Sequence, residues 1–178
     1  MYNHATGRIE YEDQLENPPH FDPATLTPGQ THVIKRHAPG VPSRTKYYFL
    51  PRRPEYSHTP SFPSILFHVN GDLGPTLNAV VQFVVIDGAN DPVVAHHGWS
   101  RMRCLVDWPQ FDNPVMDIAA KDKNGVPITR NQLLREVAGM VRAFIRRNPQ
   151  IHTDWRVVKI VGLSYYRNIW IPLLALDA

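Results

Sequence analysis

The chain has 178 residues, of which 43% are hydrophobic and 20% are charged, the composition of a globular protein. Its formal net charge is +3, and its one cysteine, Cys104, excludes an internal disulfide and favours a reducing compartment. The polar N-terminus has no secretory signal, and no apolar run reaches the ~18 residues that span a bilayer. We therefore expect an intracellular protein, cytoplasmic or nuclear, outside the membrane.

Residues 1–63 contain 10 of the 17 prolines, a density that excludes helices and central strands from most of this region. The stretches 31–36 and 45–50 have the composition of short edge strands. We predict a Pro-rich extended arm over residues 1–63, which packs against a globular domain of residues 64–178 or against a neighbouring subunit. The alternative is a tail that is mobile in part.

The globular domain opens with a predicted strand at 64–70, which the turn dipeptide Asn70-Gly71 ends. The next stretch, 77–87, is ambiguous, because its valines favour a buried strand whereas Pro75 and Thr76 are suited to the start of a helix. For this stretch we predict the strand. Further strands are predicted at 92–97, at 99–106, where alternation places Met102 and Cys104 on one face, and at 114–120.

One segment carries every local signal of an amphipathic helix. Thr129 is suited to the N-cap, and Gln132 three residues later completes a capping box. Asn148 and Pro149 end the segment. We predict a helix over about 130–147 whose apolar stripe packs on a sheet; the stripe consists of Leu133, Leu134, Val137, Met140, Val141, Phe144 and Ile145.

Two predicted strands, 155–164 and 168–177, follow the helix and are joined at residues 165–167. Both are apolar at nearly every position, a pattern that predicts cover on both faces, part of it from the arm. Pro172 restricts the last strand to an edge or a bulge. The predicted fold is therefore α+β: a mostly antiparallel sheet with one main amphipathic helix packed on one face.

Two adjacent histidines, His96 and His97, are the first candidates for chemistry. In an extended strand they would point to opposite faces and could not share a metal ion, and the spacings of a zinc site are absent. We predict structural histidines of which only one is buried, no metal and no cofactor. The alternative is a small hydrolase-like or metal-dependent enzyme whose site combines His96 or His97 with Asp107 or Asp112.

The C-terminal region is strongly basic, with 8 Lys and Arg against 3 Asp and Glu in residues 129–178. Arg135, Arg142 and Arg146 fall along the outer face of the predicted helix, where no acidic residue is spaced to pair with them. We expect aromatic companions of this charge only from Tyr165 and Tyr166. We predict a basic binding face, with a merely solvated surface as the alternative; it comprises Arg135, Arg142, Arg146, Arg147, Arg156 and Lys159.

The order of these elements carries one resemblance. The stretch NPVMDIAAKDKNGVPITRNQLLREVAGMVRAFI, followed by WRVVKIVGLSYYRNIWIPLLAL, resembles an uncharacterised domain family abundant in mushroom-forming fungi. The resemblance covers the C-terminal half, implies a strand, a capped helix and a closing strand pair, and carries no catalytic residue. It also implies a fungal source. The matching positions are Gly125, Val126, Thr129, Leu133, Val161, Gly162 and Leu163.

These patterns predict a non-enzymatic binding or self-assembly module that uses the N-terminal arm and the basic helix face. The expected partners are further copies of the chain, in a homo-oligomer, or an acidic protein. Nucleic acid is the other polyanion that such a face would bind. The sequence contains no complete catalytic constellation, so it favours binding over the His/Asp enzyme.

Overall fold

The computed structural model describes residues 53–56, 60–108 and 111–177, together with the short stretches 2–3, 8–9, 31–32, 36–38, 41–43 and 47–50. Most of the arm predicted over residues 1–63 lies outside the described residues, and so does the alternative of a partly mobile tail. In the described part of the chain, no helix is both long and apolar enough to cross a membrane.

The described strands are short in the N-terminal region and longest at the C-terminus. They are β1 (Tyr2–Asn3), β2 (Arg8–Ile9), β3 (Thr31–His32), β4 (Arg36–Ala38), β5 (Val41–Ser43), β6 (Tyr47–Phe49), β7 (Ile65–Leu66), β8 (His68–Val69), β9 (Asp72–Leu73), β10 (Arg101–Cys104), β11 (Met116–Ala119), β12 (Val158–Tyr166) and β13 (Ile169–Asp177). The α-helices are α1 (Leu77–Val81) and α2 (Arg130–Arg147), and short 3-10 turns occupy Pro54–Tyr56, Ala95–His97 and Trp155–Val157.

One sheet organises the domain. Its strand order is β11-β10-β13-β12-β7, and β6 pairs with the C-terminal part of β13. These pairings are antiparallel except for β10 with β13, which meet in parallel at Cys104 and Trp170. The β1-β2-β3 group and the pairs β4-β5 and β8-β9 lie outside this sheet. The predicted α+β class, a mostly antiparallel sheet with one main helix, is confirmed.

Helix α2 has the predicted bounds. Its first turn carries the predicted capping box. Thr129 Oγ1 accepts from the Gln132 backbone N–H at 3.3 Å, and Gln132 Oε1 accepts from the Thr129 N–H at 2.9 Å. The predicted apolar stripe is buried throughout. The stripe belongs to the same hydrophobic core as six residues of the sheet: Met102, Cys104, Ile118, Ile160, Leu163 and Trp170. Helix α2 therefore packs on one face of the sheet.

The opposite face of the sheet is also covered, as the apolar sequences of β12 and β13 predicted. Tyr56, in the 3-10 turn of the arm, packs on Tyr166 with ring centroids 6.0 Å apart. Leu73 of β9 packs against Val161 and Leu173. The arm therefore supplies part of the cover, and it also adds β6 to the sheet.

Of the two expectations for Pro172, the edge strand is wrong, because β13 lies inside the sheet. The β12–β13 pairing does contain an irregularity next to Pro172, a register shift between Ile160 and Gly162 opposite Leu174 and Leu173. On the side of β13 away from β12, the Trp170 carbonyl accepts from the Leu105 N–H, at the end of β10. The Leu174 carbonyl accepts from the Leu50 N–H, just after β6. Backbone groups two residues apart face the same way in a strand, so Pro172 lies opposite the interval between β10 and β6. Its missing N–H is not needed there.

The stretch 77–87 is not the strand we predicted, since its first five residues form α1. Thr76 Oγ1 accepts from the Ala79 backbone N–H at 3.1 Å, which caps the helix. This cap and the burial of Leu77 and Val80 together favour the helix over the β preference of the valines. Helix α1 then contacts both α2 and the turn Trp155–Val157.

The predicted strand at 92–97 is also wrong. Residues Ala95–His97 form a 3-10 turn between Val94 and Gly98, whose φ angles of 52° and 67° are both left-handed. Of the predicted strand, Pro92 makes an isolated bridge to Thr129. The chain turns here instead of extending, so the alternation argument for the two histidines does not apply.

Other boundaries move without changing the order of elements. The strand predicted at 64–70 is divided into β7 and β8, and those at 99–106 and 114–120 shorten to β10 and β11. Asn70-Gly71 forms the turn between β8 and β9, with φ angles of 51° and 78°. The last hairpin turns at Arg167-Asn168, both with positive φ, and not at residues 165–167.

Candidate functional site

The outer face of α2 carries a line of cations. Arg135, Arg142 and Arg146 are exposed, and at about 3.6 residues per turn they fall on one narrow stripe that also contains Gly139. Among the residues that the structure describes, no acidic side chain forms an ion pair with any of the three arginines. The predicted exposure of these arginines is confirmed.

Two of the guanidinium groups stack on aromatic rings from other parts of the chain. Arg135 Cζ lies 4.8 Å from the centre of the Phe83 ring, and Arg142 Cζ lies 4.7 Å from the centre of the Trp155 ring. Arg156 Cζ approaches the same Trp155 ring at 5.9 Å. Such contacts contribute about 0.5–1 kcal/mol at exposed sites, and they restrict side chains that are otherwise flexible.

Phe83 occupies a position that packing alone does not explain. Its side chain is 70% exposed, and its φ of +61° is left-handed, which costs a non-glycine residue about 1–2 kcal/mol. The N–H groups of Phe83 and Val84 bond to the carbonyls of Val80 and Ala79, the paired bonds of a Schellman C-cap, so the left-handed residue ends α1 and the exposure of its ring is what remains unexplained by packing. Val85 is exposed as well, at 77%. The fold therefore holds an apolar segment in solvent beside a cation.

Trp155 is fixed by the 3-10 turn that precedes β12. Asp154 caps this turn, its Oδ1 accepting from the Arg156 N–H at 3.0 Å, and the indole is half-buried against the main core. Because α1 contacts both α2 and this turn, the Phe83 ring after α1 and the Trp155 ring in the turn border one surface. We name it the basic–aromatic face, and it comprises Phe83, Arg135, Gly139, Arg142, Arg146, Trp155 and Arg156.

Gly139 is the small residue of the basic–aromatic face. It is exposed, and a Cβ at this position would meet nothing within 4 Å, so packing within the chain does not require glycine. Glycine in a helix interior is less favourable than alanine by about 0.8–1 kcal/mol. The chain thus keeps an open notch between Arg135 and Arg142 at the expense of helix stability.

Two other predicted binding residues lie apart from this face. Arg147 is exposed and lines a cavity of about 220 Å³ near the end of α2, with Met116 and Met140 among its walls. Lys159 is half-buried in β12, and its backbone forms an isolated antiparallel β-bridge with Thr76. The structure therefore brings together Arg135, Arg142, Arg146 and Arg156 and places Arg147 and Lys159 in other surroundings.

Sequence reasoning found the arginines and missed their aromatic partners. Tyr165, one of the two aromatic residues expected near the arginines, packs instead on Trp99, with ring centroids 5.2 Å apart. Trp155 had a usable signal, since it directly precedes Arg156 at the start of an apolar strand. Phe83 had none, because its contact with Arg135 exists only once α1 and α2 have packed.

The adjacent histidines belong to an aromatic cluster. The His97 ring stacks on Trp99 with centroids 4.4 Å apart and planes inclined by 13°, and it contacts Phe62 of the arm at 4.6 Å. His97 is half-buried and His96 is exposed, so neither is fully buried. The expectation that one of the pair is buried therefore holds only in part.

The histidines are not joined to the candidate aspartates. Asp107 is buried, with Oδ1 2.9 Å from Arg53 Nε and Oδ2 accepting from the Arg53 N–H at 2.7 Å. Asp112 is exposed and lies 3.5 Å from the same guanidinium. Within the described residues, neither aspartate bonds to a histidine, and no group of three His, Cys, Asp or Glu side chains could hold a metal ion. Asp107 instead anchors the arm.

Cys104 is fully buried in the core beneath α2, as expected for an apolar cysteine. Burial, with a smaller contribution from the charge of Asp117, raises the pKa of its thiol to about 12. A thiol with such a pKa remains protonated at neutral pH and is a poor nucleophile. The residue therefore contributes to packing.

Comparisons with protein-family models, with curated proteins and with solved structures found no match for this chain. The resemblance to the fungal domain family therefore stays a prediction.

Proposed function

We propose that this protein is a non-enzymatic binding module whose basic–aromatic face binds an acidic segment of another protein. One observation carries the proposal: the Phe83 ring is exposed beneath the guanidinium of Arg135. Exposure of a large apolar ring to water does not stabilise the free protein. A partner that buries the ring accounts for its position.

An acidic protein segment suits this face better than nucleic acid does. The side chains of Val81 and Val85, exposed in the chain segment around Phe83, are suited to apolar side chains of a peptide. Tight nucleic-acid binding depends on neutralising several phosphates with Lys and Arg. The face offers four arginines, and three of them already lie over rings of the chain. Arginine and aromatic residues are also enriched among those that dominate protein–protein binding energy.

The substitution Phe83→Ala in the full chain tests whether the exposed Phe83 ring contributes to binding. The probe is a fluorescein-labelled peptide of Glu, Leu and Phe, and binding is followed by fluorescence anisotropy. We expect about a tenfold or greater loss of affinity, the size of an interface hot spot. The matched control is Val126→Ala, which removes another exposed apolar side chain, in the turn ahead of α2.

The double substitution Arg142→Glu with Arg146→Glu tests the charge of the face. We expect loss of peptide binding, because a partner carboxylate would then meet a like charge. Arg101→Glu with Arg103→Glu, at two exposed positions on β10, makes the same change in net charge away from the face. The proposal is wrong if the Phe83 and Arg142/Arg146 variants bind like the unmodified protein. Tighter binding of labelled oligothymidine, lost in the same variants, would identify the partner as nucleic acid.

Self-assembly through the arm stays a prediction, since most of that region lies outside the described residues. Light scattering of the full chain measures it directly. A particle mass above 20.4 kDa that is independent of the basic–aromatic face would indicate assembly through other surfaces, and a mass of 20.4 kDa would contradict the homo-oligomer.

A further inference from the structure

The spacing of the stacked arginines constrains the shape of a partner. Arg135 and Arg142 are seven residues apart on α2, which is two helical turns, or about 10.5 Å along the axis. Each guanidinium is held against a ring, so the two charges have defined positions. A partner that engages both with side chains of similar reach would present two carboxylates on one side of its backbone, from positions spaced about as far apart as the two arginines.

An extended peptide matches this backbone spacing less closely than a helix does. In a strand, side chains on one face recur every second residue, at steps of about 6.7 Å, so carboxylates on one face lie about 6.7 or 13.4 Å apart. Residues three apart are separated by about 10 Å but point to opposite faces. A helix meets the condition, because its residues i and i+7 lie on one face with the same separation of about 10.5 Å.

Gly139 adds a steric feature between the two charges. It follows Arg135 by four residues and precedes Arg142 by three, on the same stripe. The space above it is open. A large apolar side chain at position i+3 or i+4 of a partner helix lies between residues i and i+7 on the same face, and it would enter this notch.

We propose that the basic–aromatic face accepts an acidic amphipathic helix with carboxylates at i and i+7 and a large apolar residue at i+3 or i+4. The inference rests on the proposed function, because it uses the same face and adds the conformation and spacing of the ligand. It explains the glycine in α2, which the free protein does not need. It also assigns the exposed Phe83 ring a role as one wall of the site.

Synthetic peptides of about 18 residues, long enough to form a helix, test the spacing. The first is an Ala/Gln peptide with Glu at i and i+7 and Leu at i+3 and i+4. The second has the same composition with the two Glu residues five apart, which moves them to different faces. The third is the first peptide with a central proline, which breaks the helix. We expect the first to bind the full chain about tenfold or more tightly than either control.

Substitutions of Gly139 test the notch. Gly139→Ala and Gly139→Leu both replace glycine with a strong helix former, so both should raise stability towards urea. Affinity for the first peptide should fall with side-chain volume, slightly for Ala and about tenfold or more for Leu. A merely structural glycine would show the gain in stability without the graded loss of affinity.

The outcomes separate this inference from the function on which it rests. Equal binding of the three peptides, or a Gly139→Leu variant that binds like the unmodified protein, overturns the helical ligand and leaves the acidic-partner proposal in place. If neither the first peptide nor the Glu/Leu/Phe peptide binds the full chain, the proposed function itself is wrong. Binding of the first peptide that depends on spacing and on Gly139 supports both.

Discussion

The two sides of α2 differ in what accounts for their residues. On the inner side, Leu133, Leu134 and Val137 have no exposed surface, and the fold of the isolated chain explains them completely. On the outer side, an open glycine and arginines stacked on exposed or half-exposed rings lower or barely change the stability of the isolated chain. The inner side accounts for folding, and the outer side is where we propose that a partner binds, so substitutions on the inner side should change stability and those on the outer side should change binding.

The largest effect on stability is expected on the inner side. Leu134→Ala removes a fully buried side chain and leaves a cavity between α2 and the sheet, which should lower the free energy of unfolding by about 2–5 kcal/mol. Urea unfolding followed by circular dichroism measures the change. Glu136→Ala, on an exposed position of the same helix, should stay within about 0.5 kcal/mol. Equal effects of the two substitutions would contradict the placement of Leu134 on the buried side of α2 and Glu136 on its exposed side.

Cys104 extends the comparison to the sheet beneath α2. With its pKa raised from 9.0 to about 12 by burial, its thiolate fraction at pH 8 is lower than that of an exposed cysteine by about a thousandfold. The folded protein should therefore not react with a thiol reagent at pH 8 until urea unfolds it. Rapid reaction of the folded protein would show that this core is open.

The same pKa shift predicts a pH dependence of stability. The unfolded chain releases the thiol proton above its ordinary pKa of 9.0, whereas the folded protein keeps it until about pH 12. The contribution of the neutral buried thiol is therefore complete below pH 9 and is lost as pH rises from 9 towards 12. Cys104→Ala should show a shallower decline of the unfolding free energy over this range, and a decline of unchanged slope would contradict the assignment.

Loss of the N-cap should have a smaller effect on stability, because the cap supports the whole helix and belongs to neither of its sides. Thr129→Ala removes the acceptor of the Gln132 N–H and should lower the free energy of unfolding by about 1 kcal/mol. Thr129→Ser keeps the hydroxyl and should lose little. Thermal unfolding of the two variants provides the measurement, and equal loss in both would indicate that the cap is not the source.

The smallest effect has the opposite sign and lies on the outer side. Gly139→Ala should raise the free energy of unfolding by about 0.5–1 kcal/mol, because nothing in the described structure opposes a Cβ at this position. The measurement is urea unfolding at a single pH. A decrease in stability would mean that Gly139 has a packing role, and the contrast between the two sides of α2 would disappear.

Local signals made part of the fold predictable. The bounds of α2 followed from a cap, an apolar stripe and a stop that are close in sequence. The stretch 77–87 was assigned to the wrong class because the Thr76 cap and the packing of Leu77 and Val80 favour one of two states that its valines allow. Pro172 was misplaced because its tolerance depends on an interval between two other strands, which no local pattern contains.

The candidate site could be predicted only in its charges. Arginines at the spacing of an exposed helix stripe are visible in the sequence, so Arg135, Arg142 and Arg146 were found. The rings on which Arg135 and Arg142 stack come from α1 and from the turn before β12, and their contacts depend on tertiary packing. The left-handed backbone of Phe83 likewise has no counterpart in composition or periodicity.

The clasp between Arg53 and Asp107 has a mechanical consequence. It fastens the chain between β6 and the aromatic cluster of Phe62 and His97. The buried Asp107 carboxylate is ion-paired with the Arg53 side chain and accepts a hydrogen bond from the Arg53 backbone N–H. Tension applied at the N-terminus would reach the β6–β13 pairing before it reaches this clasp. Phe62 would carry no force until the clasp ruptured, which shields the His97 stack from whatever pulls on the arm.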